Sequence, residues 1–154
     1  MQPYELTVAQ ASARIARKEL SPMELMQSLL RRIERLEPSL KAWVTLDPAA
    51  ALAAAKESER ELRRSGPRGP LHGIPLGVKD IFYTKGVKTT ACSKGYADFV
   101  PAYDATCVAR LKEAGAIILG KAVTTEFAYA DPSPTVNPWN PAHPPGGSSS
   151  GSAV

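Results

Sequence analysis

Apolar side chains recur every three or four residues through the first part of the chain and then give way to alternation, so the sequence divides into a helical segment and a segment containing strands. Punctuation sharpens the helical part. Thr7 followed by Gln10 is a capping-box pattern, and Ser21, Pro22 and Glu24 supply a cap, a first-turn proline and the reciprocal carboxylate of a second helix. That helix carries Met26, Leu29, Leu30, Ile33 and Leu36 on one face, with Arg31, Arg32 and Arg35 among its charged positions. A short extended piece, "AWVTL", precedes Asp47 and Pro48, a cap and first-turn proline for the Ala-rich helix "AALAAAKESERELRR", which ends near Gly66.

"SGPRGP" breaks the helical pattern. Beyond it "IPLGVKDIF" alternates, with Ile74, Leu76 and Val78 on one side and Gly77, Lys79 and Ile81 on the other, as a strand does. Asp104 caps a helix "ATCVARLKEAG" that stops at Gly115, and "AIILGK" behind it reads as a buried strand. Strand, helix, strand predicts an α/β sheet. Residues 1–66 are then a helical N-terminal segment and residues 70–154 the start of the α/β core. Prolines and polar residues dominate from Ala130 onward, and the final "SAV" reads as the opening turn of a helix, so the chain is expected to be cut short there.

Composition changes this picture little. The 154 residues are 44% hydrophobic and 22% charged, which suits one domain with a packed core. The 19 basic and 15 acidic residues alternate in runs such as "RRIERLEPSLK" and "KESERELRR", which read as solvated helix faces, and give no evident basic face for nucleic acid. No apolar run reaches the roughly 18 residues of a membrane span, and "MQPYELTVAQ" lacks the features of a signal peptide, so a cytoplasmic protein is expected. Cys92 and Cys107 match no metal or redox spacing and read as buried free thiols. His72 and His143 are the only histidines, which leaves a His-based mechanism or a metal site poorly supplied.

Two features carry candidate chemistry. Lys79 sits in a strand, where a lysine is usually a solvent-facing charge partnered by a neighbour such as Asp80. In a dry core the ammonium is disfavoured and the neutral amine becomes available as a general base, and Gly77 leaves room beside it. The second feature is "PPGGSSSGSAV", Pro144 to Val154, whose composition alone suits a flexible tail.

The stretches "GIPLGVKDIF", "KGVKTTACSKGY", "YDATCVARLKEAGAIILGKA", "EFAY", "NPWNP" and "GGSSSGSAV" occur in the order and approximate spacing of the amidase signature family, and the chain resembles it over residues 5 to 154. The resemblance implies the N-terminal part of the amidase signature fold, a mixed β-sheet core flanked by helices. It also implies a Ser-Ser-Lys mechanism with no metal and no cofactor. Lys79 matches the family's catalytic lysine and Ser148 its bridging serine, with Gly146, Gly147, Ser149 and Gly151 as the supporting loop. The peptide before the bridging serine is cis in the family, and Gly147 supplies the neighbour without a Cβ that this needs. The nucleophilic serine and the loop of the oxyanion hole lie beyond Val154, about two dozen residues past the bridge in the family.

Ala122 and Val123 stand where the family often has Thr-Asn, and Ser150 where glycine is common; both read as tolerated variants. Glu126 to Tyr129 are expected near the acyl pocket, and Cys92 is expected to pack rather than react. The resemblance thus implies an amide C–N hydrolase with a small-molecule amide substrate, present as a portion lacking its nucleophile. Two other readings stand beside it: an inactive fragment that serves as a binding or assembly piece, and an amidotransferase A subunit that works with partner subunits. Homo-oligomer formation is left open.

Overall fold

Local caps set the starts of the first three helices, as the sequence predicts. In the computed structural model, which describes residues 1–154, α1 spans Val8–Ala16, α2 Pro22–Leu40, α3 Pro48–Ser65, α4 Thr106–Glu113 and α5 Ser150–Ala153. Thr7 Oγ1 accepts the Gln10 N–H while the Gln10 side chain accepts the Thr7 N–H, and Ser21 and Glu24 exchange the same two bonds. Asp47 accepts the Ala50 N–H at 2.9 Å at the start of α3, and Gly66 caps its end. The strands are β1, Trp43–Leu46; β2, Pro75–Lys79; and β3, Ile117–Ala122.

The chain forms two compact units: Met1–Arg35, Asp47–Leu76 and Ala109–Leu119 in the first; Leu36–Leu46, Gly77–Val108 and Gly120–Val154 in the second. The first unit has an aliphatic core of Ala11, Ile15, Leu20, Leu25, Leu62 and Ile74, against which Leu6, Leu29, Leu71 and Leu76 pack. On α3 the buried stripe is Ala51, Ala55, Ser58 and Leu62, one helical face of mostly small residues. The buried stripe of α2 differs from the expected one. Met26 is fully buried, but Pro22, Leu25 and Ser28 are its other buried positions, and Leu29, Leu30, Ile33 and Leu36 are half-buried. The core meets the first turns of α2, Leu29 packs at its edge, and Leu30, Ile33 and Leu36 further along stay half-buried.

His72 is a structural residue of this unit. Its Nδ1 accepts the Arg68 N–H at 3.1 Å, so the proton resides on Nε2, which donates to the Ser58 carbonyl at 2.9 Å. The charged runs are solvated, as expected: Arg60 pairs with Glu57, Arg63 with Glu59, and Arg68 with Glu61 at 2.7 Å.

The three strands form one sheet in the order β1–β3–β2. β1 pairs antiparallel with β3, with an irregularity between Trp43 and Thr45. Along β2 and β3, Ile117 N–H donates to Ile74 O and Asp80 N–H to Ala122 O, so both strands run the same way and the sheet is mixed. The central strand β3 is buried along its length apart from a half-buried Ile118, as its continuous apolar run requires. In the second unit the space over Gly77 belongs to Trp43, not to Lys79: a Cβ on Gly77 would lie 2.8 Å from the indole. Cys92 is half-buried and Cys107 exposed, so the expectation of two buried thiols is corrected; Cys107 lies in the first turn of a short helix whose buried position is Val108. No helix is long and apolar enough to cross a membrane.

Candidate active site

Strand β2 ends on Lys79, and the Lys79 amine reaches Ser148 across 69 residues of sequence, with Nζ and Oγ 2.6 Å apart. Both residues are half-buried, open enough to meet a ligand and sheltered enough to hold one geometry. The Gly147–Ser148 peptide is cis, as the resemblance implies. A Cβ on Gly147 would fall 3.1 Å from the Thr125 methyl, and Thr125 N–H donates to Ser148 O at 3.0 Å.

The rest of the Gly/Ser loop is fixed to the same stretch of chain. Gly151 N–H donates to Val123 O at 2.9 Å, and a Cβ on Gly151 would lie 2.2 Å from Ala42 O and 2.6 Å from Val123 N. No residue with a side chain fits there without moving backbone. Ser150 is fully buried and its Oγ donates to Gly146 O at 3.1 Å, closing a turn that Gly146 enters at φ +85°. Ser149 is exposed, and its carbonyl accepts the Ser152 N–H. The loop is therefore an ordered turn leading into α5. Chemically, a hydroxyl that both donates and accepts, set against an amine at 2.6 Å, can pass a proton.

The ordinary sequence reading pairs Lys79 with Asp80, and the structure separates them. Asp80 is fully buried and turns to the other side, where its Oδ2 accepts the Thr90 N–H at 3.0 Å, the Thr90 hydroxyl at 2.6 Å and the Cys92 N–H at 3.4 Å. Its Oδ1 faces the ammonium of Lys121 at 3.4 Å, and both side chains are wholly buried. Lys121 Nζ also donates to Phe82 O at 2.8 Å and Thr89 Oγ1 at 2.6 Å. Burial pushes the Lys121 pKa down from its ordinary value, and the Asp80 carboxylate opposes that shift. This pair went unread in the sequence. Its one signal is a lysine inside the otherwise apolar run "AIILGKAV", where neither face of the strand is polar.

Cys92 is a poor candidate nucleophile. Burial chiefly, and the Asp80 carboxylate in addition, push its thiol up against the opposing effect of the Thr124 N–H, which contacts Sγ at 3.4 Å. A packing role fits this environment. Four residues beside the site have left-handed backbone without being glycine: Ala91, Cys92, Phe127 and Ala128, with φ from 48° to 58°. Such conformations collect where surrounding structure dictates them, often at functional sites. Phe127 N–H donates to Ala91 O at 3.0 Å, joining the two left-handed pairs. Beside them lies a hollow of about 240 Å³ lined by Tyr83, Thr89, Tyr96, Phe99 and Phe127. Of the segment expected at an acyl pocket, Phe127 lines this hollow, while Glu126 and Tyr129 are exposed.

Comparison with known proteins agrees with these motifs. The family description "Amidase" matches residues 24–154. The glutamyl-tRNA(Gln) amidotransferase A subunit of Geobacter metallireducens is 48% identical over the whole chain, which covers 33% of that protein. A putative amidase, AmiD, of Mycobacterium bovis is 45% identical over 97% of the chain, which covers 32% of it. Among solved structures, the peptide amidase of Stenotrophomonas maltophilia superimposes with a TM-score of 0.88 at 40% identity, over 100% of this chain and 34% of that one. The chain therefore spans about a third of the length of the relatives it matches. Over that third, fold and sequence agree together, and the chain belongs to the amidase family, the amidase signature family whose motifs it carries.

Proposed function

We propose that the whole protein hydrolyses carboxylic amide C–N bonds by a Ser-Ser-Lys relay in which Lys79 is the base and Ser148 the bridge. The observation that carries this reading is the 2.6 Å contact between the Lys79 amine and the Ser148 hydroxyl. The attacking serine is the one the family places about two dozen residues beyond the bridge. Its hydroxyl proton passes to Ser148 Oγ as the Ser148 proton passes to the neutral Lys79 amine, and the freed oxygen bonds to the carbonyl carbon. Collapse of the tetrahedral adduct breaks the C–N bond, and the leaving amine takes its proton back from Lys79 through Ser148. Water, deprotonated along the same path, then cleaves the acyl ester and restores the serine.

The Gly146–Gly151 turn keeps Ser148 in place, so the relay needs no rearrangement between steps. The substrate is a small-molecule carboxylic amide, and the protein works in the cytoplasm. A second reading, an amidotransferase A subunit that works within a larger assembly, is favoured by the 48% identity to a glutamyl-tRNA(Gln) amidotransferase A subunit. Ammonia release from amino-acid and peptide amides separates the two. Turnover by the purified single polypeptide supports the hydrolase, and turnover only with partner subunits supports the second reading. In either assay Lys79→Ala is expected to lower kcat/KM by about 10²-fold or more. Parent-level turnover by that variant refutes the relay.

A further inference from the structure

The fully buried pair of Asp80 and Lys121 has no part in the relay, although Asp80 directly follows Lys79 and Lys121 lies just before the segment, Val123 to Thr125, that binds the Ser148 loop. Burying two charges is costly, and hydrophobic residues in their place are often at least as stable. Stability alone is therefore a weak reason for the pair.

We propose that Asp80 and Lys121 are positioning residues that hold the Lys79 amine within hydrogen-bond reach of Ser148. This inference rests on the relay reading for its kinetic consequence only; its geometric content stands alone. Asp80 is hydrogen-bonded through its backbone N–H, its carbonyl and one carboxylate oxygen, and its other carboxylate oxygen has only the charge of Lys121 opposite it. Its N–H donates to Ala122 O at 3.0 Å, its carbonyl accepts the Ala91 N–H at 3.1 Å, and its carboxylate takes Thr90 and Cys92 on one oxygen and faces Lys121 with the other. The backbone that carries Lys79 is thus anchored one residue past it.

Lys121 extends the anchor. Its ammonium holds Phe82 O, three residues past Lys79, and Thr89 Oγ1, at the start of the loop that supplies Thr90 and Cys92. The residues just past β3 then bind the other half of the site: Val123 O accepts from Gly151 and Thr125 N–H donates to Ser148 O. Residues 121 to 125 are consequently one bracket with Lys79 fixed on one side and Ser148 on the other. Lys121 supplies charge at the point where the turn after β2 would otherwise carry an unpaired buried carboxylate.

The test uses the full chain, with Asp80→Asn and the double variant Asp80→Asn/Lys121→Met. The double variant removes both charges together and leaves neither unpaired, so it remains informative if the single variant does not fold. Crystal structures are expected to show Lys79 Nζ and Ser148 Oγ moved apart beyond about 3.5 Å, outside hydrogen-bond range. A retained contact at the parent distance in the double variant overturns the proposal. Amide turnover gives the second readout. The double variant is expected to lose about 10²-fold in kcat with KM within about twofold, since misplacement of about 1 Å has that effect. A rise in KM at unchanged kcat contradicts positioning. Lys79→Ala is the control: if it turns over like the parent, the relay reading fails, while the crystallographic result still decides the positioning claim.

Discussion

Replacing Gly151 by alanine puts the largest foreseeable disturbance into the site with the smallest chemical change. The added Cβ would lie 2.2 Å from Ala42 O and 2.6 Å from Val123 N, both backbone atoms that cannot swing away. Restoring a closest approach of 3.0 Å requires a displacement of about 0.8 Å, and the Gly151–Val123 hydrogen bond of 2.9 Å lies in its path. Overpacking costs about 1–3 kcal/mol, and a lost backbone hydrogen bond about 1 kcal/mol more. Denaturant titration of Gly151→Ala is therefore expected to register a loss of about 2–4 kcal/mol. Because Ser148 rides on the same turn, kcat/KM for amide hydrolysis should fall about 10²-fold. Gly86→Ala is the comparison: φ is +73° but a Cβ would meet nothing within 4 Å, so only the left-handed penalty of about 1–2 kcal/mol applies and activity is unaffected. Gly151→Ala with stability within about 0.5 kcal/mol of the parent and normal turnover would refute the packing argument.

Two further predictions rest on single interactions. Asp47→Ala removes the cap that accepts the Ala50 N–H and should lower stability by about 0.5–2 kcal/mol in denaturant titration without changing turnover; an unchanged midpoint would mean the cap is idle. The Lys121 pKa is lowered in the fold, so between its folded value and the ordinary value of 10.5 the unfolded chain binds more protons. This group's contribution to stability therefore rises with pH across that window and is lost as pH falls through the folded value. The stability difference between parent and Lys121→Met, followed by denaturation as the pH is raised toward 10.5, should shift in the parent's favour; a shift the other way would reverse the inferred direction.

What the sequence made legible follows from how far each interaction reaches. The Thr7/Gln10, Ser21/Glu24 and Asp47/Ala50 caps each join residues three apart, so residue identity and spacing are enough to read them. The contact between Lys79 and Ser148 spans 69 residues, and while local pattern marks the strand lysine and the Gly/Ser stretch separately, only the resemblance joins them. The pairing of Asp80 with Lys121 is marked in the sequence only by a lysine in an apolar run, because adjacency makes Asp80 look like a partner for Lys79 and nothing local says which way a carboxylate turns. Trp43 claims the room at Gly77 for the same reason: the strand pattern identifies a small residue but not the neighbour that needs the space. On α2 the apolar stripe was read correctly as helical, yet which turns reach the core depends on the partners, and Leu25 rather than Leu36 is buried.

The central claim is that Lys79 and Ser148 act as one proton relay, and a double-mutant cycle tests it most directly. In the whole protein, kcat/KM for amide hydrolysis would be measured for the parent, Lys79→Ala, Ser148→Ala and the double variant. If the 2.6 Å contact is the proton path, breaking it at either end removes the whole path, so each single variant should be nearly as slow as the double. Losses that multiply, with the double variant slower than either single by the other's full factor, would mean that the two residues act separately and that there is no relay between them.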